Sequence, residues 1–169
     1  EGGILPNSYD KAVEYSLKNG LNIVSGLHEF LSDNPVFSRL AKKNGCSIID
    51  IRKIYRDYKR FYTGEIKKVK SFRVAVLGTD SAIGKRTIAV LLNKELLDRN
   101  RKTDMIFTGQ TGWLQGWPHG VVLDAMINDF VSGGIEGAIL DSWKEDKPEY
   151  MIIEGQGSLV VTDELCTST

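Results

Sequence analysis

The sequence predicts an α/β protein: a three-layer αβα parallel sheet holding a phosphate-binding loop (P-loop), preceded by part of a Rossmann-like domain. Two observations carry that expectation. Up to Arg52 the chain reads twice as helix, glycine, strand, the rhythm of a parallel sheet with crossover helices. From Ser71 to Thr87, SFRVAVLGTDSAIGKRT, an apolar β-branched run stops at a glycine-bounded polar loop and passes into helical spacing.

In chain order, Ser8 or Asn7 is suited to cap a helix over Tyr9–Lys18, with Ala12, Val13 and Leu17 on one face. Gly20 follows as the residue that ends it. LNIVSG is then a strand stopping at Gly26. Asp33 or Asn34 caps the second helix, with Pro35 first, Val36, Phe37, Leu40 and Ala41 inward, and Gly45 at its end. CSIIDI is the second strand. His28, Asp50 and Arg52 lie just past strand ends, where α/β sheets place ligand-contacting loops. Each equally suits a structural role: a backbone-bonded loop histidine, and for Asp50 and Arg52 a domain-interface pair, the preferred reading.

Lys53–Lys70, KIYRDYKRFYTGEIKKVK, is basic and aromatic. Interleaved tyrosine and lysine suit single-stranded nucleic acid. With 22 basic and 22 acidic residues in all, however, the chain has no net field to draw such a partner in. A solvated linker with tyrosines resting on a neighbouring domain fits better. The expected division is therefore residues 1–52, a linker over 53–70, and a nucleotide-binding domain over 71–169.

Within that domain Phe72, Val74, Ala75, Val76 and Leu77 read as a buried parallel strand. The loop runs through Gly78, Thr79, Asp80, Ser81, Ala82, Ile83 and Gly84 to Lys85, Arg86 and Thr87. Small residues let successive backbone N–H groups turn onto an anion, and the following helix points its positive end at the same spot. Lys85 adds a full mobile charge for the outer phosphates. Ile88, Leu91, Leu92, Leu96 and Leu97 then carry the helix. Two features depart from the commonest pattern: five residues separate the glycines, and Arg86, not a hydroxyl, follows the lysine. Thr87 is then the candidate contact for an inner phosphate, leaving Mg²⁺ to Asp80, Glu154 and water.

Thr103–Phe107 is the next strand, and Thr108, Gly109, Gln110, Thr111 and Gly112 leave its carboxyl end. Threonine and glutamine there are suited to bond a substrate carboxylate or a phosphate. Trp113, Trp117 and His119 follow as local packing or a lid, with His119 chemically able to serve as a general base. Val121–Val131 reads as a helix that Gly133-Gly134 breaks, before GIEGAILDSW starts another. Tyr150–Ile153 is the last clear strand. Glu154 at its end matches a Walker B carboxylate, able to hold Mg²⁺ directly or through water.

Composition bounds the rest. Hydrophobic residues make up 41% and charged residues 26%, ordinary for a globular core. No apolar run approaches the ~20 residues a membrane span needs, and no signal peptide is visible. Cys46 and Cys166 stand far apart without metal-ligand spacing, as expected of free thiols in a reducing cytoplasm.

GTDSAIGKRT, TGQTG at Thr108–Gly112 and IIEGQGSL at Ile152–Leu159 resemble, in that order, the P-loop family that includes D-glutamate N-acetyltransferases. More distantly the GTD loop resembles dethiobiotin synthetase. IVSGLHEFL and IIDIR match the family's N-terminal domain. The resemblance implies an acetyl transfer from acetyl-CoA to an acidic amino acid, with the loop gripping CoA phosphates. The alternative is an ATP- and Mg²⁺-dependent ligase acting on a small carboxylic acid, with Lys85 and Glu154 catalytic; a non-catalytic nucleotide-binding module is a third. Asp124 and Asp129 match acidic positions of the family's helix, Asp124 as a substrate or metal-water contact. The expected partners are a small acidic substrate, with a second copy as a further candidate and neither nucleic acid nor membrane. Family members are about twice this length and continue past GQGSL into a His-Pro segment absent here, so the chain reads as a fragment.

Overall fold

The structure, a computed structural model, describes residues 3–157. Its contacts divide into two units. One reaches to Tyr58 and includes Asp124–Ile127; the other comprises Lys59–Leu123 and the residues from Asn128 onward.

The first unit runs α1 (Asp10–Lys18), β1 (Ile23–Ser25), α2 (Pro35–Asn44), β2 (Ile48–Asp50) and α3 (Ile51–Arg56). β1 and β2 pair in parallel, Ile23 beside Ile48 and Ser25 beside Asp50. Asn34 caps α2, its side-chain oxygen accepting from the Val36 N–H at 2.9 Å and the Phe37 N–H at 3.4 Å. The cap expected on α1 is not made. Asn7 and Ser8 lie in a 3₁₀ turn, and no side chain bonds the first turn of the helix. The core holds Leu17, Leu31, Phe37 and Ala41, with Leu40 partly buried against them. Val36, expected inward, is 48% exposed because it sits one position off the 37/40/41 stripe. Asp50 is buried inside this unit, accepting from the N–H groups of Leu31 (3.0 Å) and Ser32 (2.9 Å).

The second unit runs β3 (Phe72–Val76), α4 (Lys85–Asp98), β4 (Thr103–Phe107), α5 (Gln110–Leu114), β5 (His119–Gly120), α6 (Asn128–Glu145) and β6 (Tyr150–Glu154). All neighbouring strands are parallel, in the order β3-β6-β4-β5. Val76 lies opposite Glu154, and Ile153 opposite Ile106. That register brings the loop after β3, the end of β6 and the end of β4 to one edge, where α/β sheets hold ligands.

Met105, Ile152 and Ala89 form the centre of one face, with Trp117 packed against them. Trp117 is thus local packing. β3, expected to be buried, is the outer strand of the described sheet, and Phe72 is 66% exposed. Three of the five leucines and isoleucines of the α4 stripe likewise face outward: Ile88, Leu91 and Leu97 are exposed, while Ala89 and Asn93 are buried.

The region after β5 departs from expectation most. Val121 and Val122 are buried outside any helix, a 3₁₀ turn covers Leu123–Ala125, and α6 runs unbroken through Gly133-Gly134 to Glu145. The glycines serve close approach and do not break the helix. A Cβ on Gly133 would stand 1.9 Å from the Arg60 carbonyl oxygen, so the backbone of residues 60–61 lies directly on the helix. Glu136, on the next turn, holds the same segment. It accepts from the Thr63 N–H (2.6 Å), the Thr63 hydroxyl (3.0 Å) and the Ile66 N–H (3.1 Å). Burial pushes this carboxyl up, but donation from Thr63, Ile66 and Gly64 outweighs it and holds the group below its ordinary value. Arg60 adds an ion pair to Asp141 at 2.9 Å.

Among the described residues no helix is long and apolar enough to cross a membrane. Cys46 carries a free thiol; Cys166, Ser158 and the VVTDELCTST end lie outside the described residues.

Candidate phosphate-binding site

β3 delivers the chain to the sheet edge at Val76, and Leu77–Gly84 loops back to start α4 at Lys85. The reversal uses left-handed backbone at Ala82 (φ 55°) and Gly84 (φ 95°). Such turns aim successive N–H groups into a concavity. No side chain caps α4, so the orphan N–H groups of its first turn face that concavity without an internal partner from a cap. A cavity of about 350 Å³ lies there, lined by Ser81, Ala82, Gly84, Lys85, Arg86 and the Glu154–Gly157 segment.

Lys85 crosses the cavity. Its ammonium donates to the Asp80 carbonyl at 2.6 Å and the Gly157 carbonyl at 2.7 Å. Both acceptors are neutral, and an incoming phosphate would attract the charge more strongly. Asp80 itself turns back on the loop, its carboxylate accepting from the Ser81 N–H at 2.6 Å.

Glu154 is 5% exposed and fully engaged. One carboxylate oxygen accepts from Arg86 Nε (3.0 Å) and Nη2 (2.6 Å), the other from the Thr108 N–H (3.1 Å). The Thr108 hydroxyl donates to the Glu154 carbonyl at 3.0 Å. Arg86 therefore neutralises the carboxylate in the position where the sequence reading placed a metal. A cation at Glu154 does not fit this arrangement unless Arg86 turns away. Arg86 Nη1 is buried without a partner among the described residues.

The other candidates fall in different places. Thr108 is buried and spends both its N–H and its hydroxyl on Glu154. Gly109 lies against the Arg86 guanidinium and the Gln156 amide. Gln110, Thr111 and Gly112 form the first turn of α5, Gly112 buried on Phe107. Thr79 and Ile83 within the loop and Thr87 just after it are exposed and lie outside the cavity lining. Asp124 belongs to the first unit, where Arg52 Nε donates to it at 3.2 Å and the Arg52 guanidinium also reaches the Gly26 carbonyl. His28 donates its N–H to the Gly3 carbonyl at 2.8 Å, and Asp129 is exposed in the first turn of α6. His119 is buried on β5 against Asp104 and does not line the cavity. The sequence reading left Gln156 and Gly157 out of the site although both line the cavity; the EGQG run beside a P-loop strand was the available signal.

Residues 60–168 match a family described as a P-loop domain of unknown function, DUF1611, and residues 1–54 match its Rossmann-like N-terminal domain. The chain belongs to the DUF1611 family. A crystal structure of a DUF1611 family protein from Anabaena variabilis superposes with a TM-score of 0.86 at 32% identity, covering 96% of this chain and 46% of that one. A Pseudoalteromonas protein named D-glutamate N-acetyltransferase is 35% identical over 158 residues, covering 94% of this chain and 46% of that protein. A Tritonibacter scottomollicae protein of the same name is 34% identical, covering 94% of this chain and 45% of its own length. This DUF1611 chain thus spans less than half the length of the relatives it matches.

Proposed function

We propose that this DUF1611 chain carries the phosphate-gripping part of an acetyltransferase similar to D-glutamate N-acetyltransferase, which moves acetyl from acetyl-CoA to the amine of an acidic amino acid. The Arg86–Glu154 pair beside the loop carries the reading. With Glu154 neutralised by arginine, the anion in the loop is met by backbone N–H groups and Lys85, a cradle that needs no metal. The phosphates of CoA suit such a cradle. Gln156 lines it and offers an amide to a substrate carboxylate. The names of the relatives support the same chemistry, which belongs to the longer protein.

A second reading has one observation in its favour. Glu154 ends a strand directly beside the loop, as the metal-holding acid of an ATP-dependent ligase would. That reading requires Arg86 to swing off the carboxylate as ATP and Mg²⁺ enter.

Thermal-shift measurements on the chain and its Lys85→Ala variant, with acetyl-CoA, ATP-Mg²⁺ and ATP-EDTA, separate the two. A ligand at a hundredfold its dissociation constant stabilises by ~2.7 kcal/mol, a shift of several degrees. A Lys85-dependent shift with acetyl-CoA is expected. A shift only with ATP, needing both Mg²⁺ and Lys85, would move the assignment to the ligase; no shift with any of them would sink the phosphate site.

A further inference from the structure

We infer that the open edge of β3 and the outer side of α4 form a docking surface for a strand and its connecting helix, contributed by the part of longer DUF1611 proteins that this chain does not span. The surface rests on the fold and the family match and is independent of the proposed activity. It shares no residue with the lining of the phosphate cavity.

Among the described residues β3 pairs with β6 alone. In a parallel ladder the N–H and C=O of one residue point to the same side, and successive residues alternate. The Phe72 N–H donates to the Glu149 carbonyl at 2.8 Å, and the Val76 carbonyl accepts from the Gly155 N–H at 3.0 Å. Phe72, Val74 and Val76 therefore spend their peptide groups on β6. Those of Arg73 and Ala75 point the other way, to an edge that no described strand adjoins. Sheet edges that meet water are blunted by proline, by a bulge or by charge. β3 has no proline, and its register with β6 is unbroken from Phe72 to Val76. Its single charged side chain, Arg73, donates to the Val69 carbonyl at 2.9 Å.

The side chains agree with the backbone. Phe72 on β3, Leu77 just after it, and Ile88 and Leu91 on α4 are each more than half exposed. Ile88, Leu91 and Leu92, with Lys94, Glu95 and Asp98, line a groove of about 460 Å³. α4 already buries Ala89 against Met105 and Ile152 of the sheet, so the Ile88 and Leu91 side is a second apolar face, left without a partner among the described residues.

Length and strand direction identify the occupant. The two D-glutamate N-acetyltransferases and the Anabaena protein each continue for more than half their length outside the match. Every pairing in the second unit's sheet is parallel. A parallel strand must arrive by a crossover of about a dozen residues or more, usually a helix. Such a unit supplies both things this surface lacks: peptide groups for Arg73 and Ala75, and an apolar helix face for Ile88 and Leu91. A second copy meeting β3 about a two-fold axis normal to the sheet would run antiparallel and bring no helix of its own to cross the edge.

The test compares hydrogen exchange in this chain and in a chimaera, where its matched residues replace their 158-residue counterpart in the Pseudoalteromonas protein. In the chain alone, the Arg73 and Ala75 amides should exchange as exposed backbone while those of Val74 and Val76 are protected. In the chimaera the Arg73 and Ala75 amides should slow about tenfold or more. Ala75→Pro removes an N–H that β6 does not use, and proline is tolerated on edge strands. It should lower the melting temperature of the chimaera and leave that of the chain nearly unchanged. Ile88→Lys and Leu91→Lys, at exposed positions, should divide the two proteins in the same way. Fast exchange at Arg73 and Ala75 in the chimaera, or equal losses of melting temperature in both proteins, would overturn the inference. Protection of those amides in the chain alone, with a dimer's mass in solution, would assign the edge to a second copy instead.

Discussion

Arg86 directs two donors onto a single oxygen of Glu154, Nη2 at 2.6 Å and Nε at 3.0 Å, across 68 residues of sequence. The arginine occupies the position directly after the P-loop lysine, where a Mg²⁺-binding hydroxyl is usual. One contact therefore joins the start of α4 to the end of β6 and sets the electrostatics of the cavity.

Removing one partner of that pair strands the other. Arg86→Ala should destabilise the protein by about 3 kcal/mol, the low end for breaking a buried pair, since Arg86 keeps some solvent access. Arg86→Ala/Glu154→Gln should cost clearly less than the sum of the single changes, because the double change leaves no unpaired charge. Urea denaturation of all four forms reads the coupling; additive losses would mean the carboxylate is satisfied without Arg86.

Lys85 donates to two neutral carbonyls, those of Asp80 and Gly157, and under the proposed function its charge serves the ligand's phosphates. Lys85→Glu should leave the ligand-free melting point within what ~0.5 kcal/mol produces, as for a surface change. The same change should abolish stabilisation by acetyl-CoA. Retained stabilisation would contradict the phosphate role of the loop.

Gly133 separates two outcomes by sign. In an open helix Gly→Ala gains up to ~1 kcal/mol from helix propensity. Here the added Cβ meets the Arg60 carbonyl at 1.9 Å, and Gly133→Ala should instead cost about 3 kcal/mol by overpacking. A neutral or stabilising result in denaturant melts would mean that residues 60–61 do not lie on α6.

Glu136 predicts an acid limb. Its carboxyl is held below the ordinary 4.5 by donation from Thr63, Ile66 and Gly64 against the cost of burial. The folded state thus binds its proton less readily than the unfolded chain. Its contribution is complete above pH 4.5 and is lost as pH falls through the lower folded value. Glu136→Gln should be less stable at neutral pH and show a flatter decline as pH falls below 4.5. An unchanged acid limb in urea midpoints would assign that decline to other carboxylates.

Local chemistry made much of the fold legible. Asn34, Pro35 and Gly45 bound α2 as their types require, through a side-chain cap, a preset φ and a left-handed turn. β4 appears at Thr103–Phe107 and β6 ends at Glu154, as the apolar runs beside polar loops imply. The strand, loop and helix from Phe72 to Asp98 follow from the glycines and the change of period alone.

What sequence determined by itself was therefore the alternation of strand and helix, the phosphate loop and the family to which the chain belongs, because caps, turns and periodicity act within a few residues. Tertiary structure alone decided which residues meet. It carried α6 through Gly133-Gly134, since the helix there serves as a bed for Arg60 and Phe61. It exposed one side of β3 and α4, paired Asp124 with Arg52, and sent His119 to Asp104 instead of the cavity. It also spent Glu154 on Arg86 and Thr108. Each of these depends on partners 15 or more residues away in sequence. Charge neutralisation and close backbone contact are settled only when strand register has brought such partners together.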